Sequence, residues 1–261
     1  MGKIISFINQ KGGVGKTTTC VNMASYMAMM GKKVLLLDMD AQGNASSSMG
    51  MNKEDKYKTI YNVLIEDADL SEVIVPTKVK GLDLIPSNVD LAGAEVDLVQ
   101  MDNREKTLKR HLSQIKDIYD YICIDCPPSL GLLTVNSLTA SDSVIIPIQC
   151  EYFAIEGLSQ LMYTLKLVKK HLNSTIDVEG VVLTMKDARS NLGNSVAKDI
   201  TKYFGSKVYD TVIPRNIRLA EAPSFGEPIC IYDPKCTGAF AYKLLTEEFL
   251  KRNSADYIKI N

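Results

Sequence analysis

The chain has 261 residues, with 30 Lys+Arg against 31 Asp+Glu and a formal net charge of -1. Any attraction to a polyanion must therefore come from a local patch rather than from the field of the whole molecule. Hydrophobic residues make up 46% and charged residues 23%, the balance of a globular domain, which excludes a disordered or fibrous chain.

In chain order, an apolar run at 4–8 reads as a strand, and a helix is expected over 16–30, ended by Gly31. A second strand follows at 34–38. That order is the βαβ signature of a parallel sheet. The polar, Met- and Ser-rich stretch 45–58 reads as a mobile loop. Further strands are expected at 82–85, 121–125, 144–148, 180–185 and 208–213. Most are continuously apolar, as strands covered by helices on both faces are. Helical periodicity marks 157–172, where Leu158, Leu161, Leu165 and Leu172 approximate one face, and 239–251. No repeat, low-complexity tract or linker divides the chain. The expectation is one α/β domain over 1–261, a mostly parallel sheet flanked by helices on both faces. The apolar run near the N-terminus is too short for a signal peptide, and no stretch approaches the roughly 18 apolar residues of a membrane span. Both point to the cytoplasm.

Directly after the first strand, and directly before a helix, stands KGGVGKTT, Lys11 to Thr18. This is the context of a phosphate-binding loop. The glycines let backbone N–H groups turn inward, so Gly12, Gly13, Val14, Gly15, Lys16, Thr17 and Thr18 become candidates for cradling a nucleotide's phosphates. Lys16 supplies a point charge to the outer phosphates, and the Thr17 hydroxyl can ligate Mg²⁺. The standard pattern would need glycine at position 10, where Gln10 stands. The loop carries instead a second lysine, Lys11; two lysines at 4 Å repel by up to about 4 kcal/mol at an effective dielectric of 20. Such a pair makes sense around a polyanion.

Acidic residues follow where a nucleotide site wants them, at the carboxyl ends of strands. VLLLDMD places Asp38 and Asp40 after the second strand, and YICID places Asp125 in the Walker-B form, suited to holding Mg²⁺ or its water. Asp40 is the candidate for orienting the attacking water; the alternative is a turn-forming Asp before Gln42-Gly43-Asn44. His111 and His171 are the only histidines and lie in charged helical surroundings, so a Ser/His/Asp triad is not credible; His171 suits a helix C-terminus. Six cysteines without a short-loop framework fit reduced thiols. Cys123 and Cys126 form a CxxC, but within a strand they would point to opposite faces.

KGGVGKTTT, LLLDMDAQGN, YDYICIDCPPSLGLLT, IPIQCEYFAIEGL and VIPRNIRLAEAPSFGEPI together resemble the deviant Walker-A ATPases, and within them the ParA/Soj chromosome- and plasmid-partitioning proteins, from Met1 to about Leu250. The P-loop alone would be shared with nitrogenase iron protein, MinD and arsenite-pump ATPases. The resemblance implies an Mg-ATP-dependent, ParB-stimulated ATPase. In it two subunits sandwich two nucleotides, Lys11 of each reaches the phosphates bound by the other, and Gly12 lies at the interface. It also implies that Pro214, Arg215 and Asn216 line the adenine. Arg189 and Arg218 would face double-stranded DNA, bound without sequence preference, giving a nucleoid-associated state with ATP. A ParB-like protein is the expected partner, with a replication initiator a further one.

From composition alone, Lys186, Arg189, Lys198, Lys202, Arg215 and Arg218 make the most basic region of the C-terminal half, interrupted by Asp187, Asp199 and Glu221; solvated surface charge is the alternative. The sequence departs from the family at Ala41, commonly proline, and at Asn44-Ala45-Ser46, commonly Asn-Ala-Thr, which bears on the shape of the loop after Asp40. A MinD-like membrane role would want a basic amphipathic helix at the C-terminus, against which stand Glu247 and Glu248, so no stable membrane association is expected. A cluster-bearing electron carrier would need cysteines at a subunit interface, and Cys126 beside Asp125 is poorly placed. A nucleotide-gated regulator of replication or sporulation shares every motif.

Overall fold

The computed structural model describes residues 2–52, 56–151, 154–186 and 190–254. β1 (Lys3–Phe7) leads through the phosphate-loop segment into α1 (Lys16–Met29), then β2 (Val34–Asp38) and the short α2 (Asn44–Ser48). There follow α3 (Ile60–Ile65), the two-residue β3 (Val75–Pro76), β4 (Leu82–Ile85), α4 (Leu91–Asp97), α5 (Thr107–Ile115), β5 (Tyr121–Asp125), α6 (Leu132–Ala140) and β6 (Ser143–Gln149). The last third holds α7 (Ala154–His171), β7 (Asp177–Thr184), α8 (Asn191–Phe204), α9 (Ile217–Glu221), α10 (Ile229–Tyr232) and α11 (Thr237–Arg252).

The strands form one seven-stranded sheet in the order β3-β4-β2-β5-β1-β6-β7. Only β3 runs antiparallel, on the edge. Side chains alternate across a strand, and this sheet buries both sets. Ile4, Leu35, Leu37, Ile122, Ile124 and Ile146 pack on one face with α3 to α8. Ile5, Phe7, Val34, Leu36, Cys123 and Ile145 pack on the other with α1, α2 and α9 to α11. Burying each such side chain stabilises the fold by about 1.5–3 kcal/mol, which is why the strands read as unbroken apolar runs. The alternation also separates the CxxC pair: Cys126 belongs to the first face and Cys123 to the second.

Three expectations need correction. Segment 208–213 is not a strand. It runs beside β7, with Tyr209 N–H donating to Val181 O and Ile213 N–H to Leu183 O, but makes only isolated bridges. Between those bonds the amides of Asp210 and Thr211 donate to the Glu248 carboxylate on α11, so α11 takes the donors a ladder would need. The strand expected at 180–185 begins earlier, at Asp177, and ends at Thr184. The stretch read as a mobile loop carries α2, whose Ala45, Ser46 and Ser48 are buried; residues 53–55 lie outside the described ones. Gly31, expected to end α1, has φ +87, the left-handed turn that stops a helix.

Candidate nucleotide site

β1, β2 and β5 lie side by side, in register so that Phe7, Asp38 and Asp125 stand at one level on their carboxyl ends. That is the crevice where ligands bind in an open parallel sheet. The phosphate loop crosses it. Gly13 and Gly15 hold φ +74 and +86, values that L side chains rarely adopt, so the backbone can curl before α1. Thr184 Oγ1, at the end of β7, donates to Val14 O at 2.8 Å, and Lys11 N–H donates to Asn9 Oδ1, fixing the loop at both ends.

Two adjoining cavities open on this loop. One, of about 610 Å³, is lined by Gly12, Gly13, Gly15, Lys16, Thr17, Thr18 and Asp40 together with Glu95 and the Pro127-Pro128-Ser129 turn. The second, of about 430 Å³, is lined by Pro214, Arg215 and Asn216 with Thr184, Met185 and Tyr242. They share Gly15, Thr18 and Met185. The first presents the loop backbone and the Lys16 ammonium, the second an apolar wall of Ile213, Ile217 and Leu219, an arrangement that suits a phosphate chain joined to a purine.

Lys16 is buried. Burial lowers its ammonium's pKa, with Asp125, Cys126 and Asp40 pulling it back up. Its Nζ donates to the Lys11 carbonyl at 3.2 Å, an oxygen standing where an outer phosphate oxygen would compete. Asp125 is fully buried and neither carboxylate oxygen has a hydrogen-bond partner among the described residues. Burial and then the charge of Asp38 push its pKa well up; the Thr17 hydroxyl and Lys16 oppose this. The Thr17 hydroxyl is thus near enough to be felt without forming a well-shaped hydrogen bond. An orphaned carboxylate beside a hydroxyl on a phosphate loop is a hard-oxygen donor set that fits Mg²⁺.

Asp38 is buried too, with its pKa pushed up to about 6 chiefly by desolvation. Unlike Asp125 it is satisfied: Ser46 N–H and Ser46 Oγ donate to Oδ2, and Asp40 N–H to Oδ1. Ser46, one of the departures from the family pattern, is therefore the anchor that folds α2 onto β2. Asp40 lines the phosphate cavity while its Oδ1 accepts from Gln42 N–H at 3.0 Å. The turn role weighed as an alternative is real and coexists with a place in the cavity.

Lys11, the other lysine of the loop, does not line its own cavity; its Nζ pairs with Glu151 Oε2 at 2.7 Å, both half-exposed. At Gly12 an added Cβ would meet nothing within 4 Å, so nothing within one protomer demands glycine there.

The basic region of the C-terminal half is divided. Lys198 and Lys202 ride on α8, which packs on the first face, while Arg218 rides on α9 on the second; Lys186 is bridged to Pro214, the residue before Arg215. Arg218 is held by Glu221 at 2.9 Å and Asp233 at 3.3 Å. Arg189 lies outside the described residues. His111 is buried on its charged helix and does not line the cavity. Glu95, Glu151, Met185 and the Pro127-Pro128 turn were not singled out from the sequence. Met185 carries φ +50, a strained value for its type, where both cavities meet.

The family described as AAA domain matches residues 2–178. The chain is 58% identical over 248 residues to the sporulation initiation inhibitor protein Soj of Bacillus subtilis, covering 95% of this chain and 98% of that one. It is 49% identical to the chromosome partitioning protein ParA of Myxococcus xanthus, covering 97% and 90%. The chain belongs to the ParA/Soj family of partitioning ATPases. Among solved structures, cobyrinic acid a,c-diamide synthase from Mycobacterium smegmatis with a bound ATP analogue and magnesium superposes with a TM-score of 0.86 at 34% identity, covering 98% and 97%. The ParA/Soj fold thus accounts for the whole described sheet and for the phosphate loop at its centre. Among the described residues no helix is long and apolar enough to cross a membrane.

Proposed function

We propose that this ParA-type ATPase binds Mg-ATP in the two joined cavities and hydrolyses it as a two-fold pair of chains that holds DNA. The carrying observation is Lys11: a cation built into the phosphate loop, next to a cavity it does not enter. A charge so placed is of use to a second copy, where it neutralises transition-state charge as an arginine finger does and ties chemistry to assembly.

Within each chain the roles divide by position. Gly12, Gly13, Val14 and Gly15 present backbone N–H groups to the phosphates, helped by the N-terminus of α1. Lys16 leaves the Lys11 carbonyl for an outer phosphate oxygen. Thr17 and Asp125 would hold Mg²⁺, which when bound supplies charge neutralisation between the phosphates. Asp40 orients the attacking water, its turn bond to Gln42 fixing the carboxylate. Pro214 and Asn216 flank the adenine, with Met185 closing the junction.

Pairing two chains doubles the basic surface that Arg189 and Arg218 contribute, and DNA is bound through phosphates, without base reading. Arg218 would then exchange Glu221 and Asp233 for a phosphate, at some cost in affinity. A ParB-like protein accelerates turnover, and a replication initiator is a further partner. The test is the ATPase rate with and without random duplex DNA and a ParB-like protein. Stimulation by the two together is expected; a rate indifferent to both contradicts the partitioning role.

A further inference from the structure

The phosphate cavity is over-supplied with negative charge. Among the described residues lining it, Lys16 is the one ammonium, set against Asp40 and Glu95, with Asp125 buried close enough to shift Lys16. Thr17 and Asp125 have a use in holding magnesium and Asp40 in orienting water; Glu95 has none so far. It sits on α4, and its carboxylate packs on Gly131, at the start of α6, where a Cβ would collide with it. Its Oε1 is buried without a hydrogen-bond partner. A buried carboxylate oxygen left without a partner is costly, so the group is incomplete in a single chain.

We infer that Glu95 is the carboxylate that receives Lys11 of a second copy of this chain. The assignment rests on the sandwich reading above and adds an acceptor to it. In a two-fold interface the same patch meets itself, so each residue at one cavity mouth faces the other chain's mouth. Lys11 stands at that mouth, turned outward onto Glu151 by an exposed ion pair, a kind that contributes little to stability. That pair is weak enough to exchange. On closure Lys11 leaves Glu151, enters the opposite cavity between Glu95 and the phosphates, and balances a carboxylate that would otherwise repel the nucleotide.

Zero-length carbodiimide coupling, which joins only carboxylates and amines in contact, tests this on the unaltered chain, using a mixture of isotopically light and heavy protein. Without nucleotide the mapped link is Lys11 to Glu151 within one chain. With Mg-ATP a light-to-heavy link between Lys11 and Glu95 is expected. By sedimentation, Glu95→Gln should weaken ATP-driven self-association about 100-fold, roughly tenfold for each of two symmetric charge-assisted contacts. A dimer that forms with ATP but carries no Lys11–Glu95 link, or that Glu95→Gln leaves as tight as before, overturns the assignment while leaving the sandwich standing. If ATP drives no self-association at all, the sandwich reading itself falls, and this assignment with it.

Discussion

Replacing Asp125 by asparagine should stabilise the nucleotide-free chain while destroying its response to magnesium. The carboxylate is fully buried, unpaired, and close enough to Asp38 for the two to repel. Its folded-state pKa is raised, mainly by burial, well above the ordinary aspartate range. The folded state therefore holds this proton more tightly than the unfolded state does, and stability falls as pH rises from about 4 upward. Asparagine keeps the shape and removes the charge. At pH 8 the gain should approach the cost of an unsatisfied buried charged group, about 1–3 kcal/mol, reduced by the attraction to Lys16 that is lost. About 1–2 kcal/mol corresponds to roughly 2–8 °C in melting temperature for a domain of this size. The assay is thermal unfolding of both proteins from pH 4 to 8, with and without Mg-ATP. The two curves should draw together as pH falls toward 4, where the acid is protonated in the folded chain and about half protonated in the unfolded one, and diverge as pH rises; added Mg-ATP should stabilise the parent far more than the variant. A variant equally destabilised at every pH would refute the view that Asp125 is an uncompensated charge awaiting a cation.

Lys16→Ala removes the ammonium that meets the outer phosphates, and calorimetry should find no tight Mg-ATP binding; retained binding would overturn the phosphate-loop assignment. Gly12→Val meets no obstacle within the chain, so it should fold and bind ATP normally yet fail to self-associate in sedimentation, whereas normal dimerisation would remove Gly12 from the interface. Asp40→Ala should bind ATP and pair but turn over at least about 100-fold more slowly; a parental rate would leave Asp40 only its turn bond to Gln42. Alanine at Arg189 or Arg218 should flatten the slope of log K against log salt for duplex DNA by about 2, one phosphate contact in each of two chains, and an unchanged slope in both would end the proposed DNA face.

What was legible in the sequence was local. The strand-loop-helix of residues 3–29 announces itself because glycine spacing, the adjoining apolar strand and the helix all lie within one stretch of chain. Asp38, Asp40 and Asp125 could be found because a strand's apolar run ends where its ligand end begins. What escaped depends on contacts distant in sequence. Glu95 gives no local signal, since its meaning comes from Gly131 across the cavity. Glu151 matters only through Lys11, 140 positions away. Segment 208–213 has strand composition, but Glu248 on the last helix takes two of its amides. The polar stretch after Asp40 lacks the apolar periodicity of a helix, and it folds because the buried Asp38 carboxylate captures Ser46.

The central claim, that each site is completed by the other chain's Lys11, is tested most directly by complementation. A Lys11→Ala chain keeps its own Asp40 but offers nothing to its partner; an Asp40→Ala chain has no working site but offers Lys11. Each alone should be nearly inactive. Mixed in equal amounts, random pairing makes about half the dimers mixed, each with one complete site of two, so about a quarter of the parental ATPase rate should return. A mixture no faster than the sum of its two components would mean that Lys11 acts within its own chain.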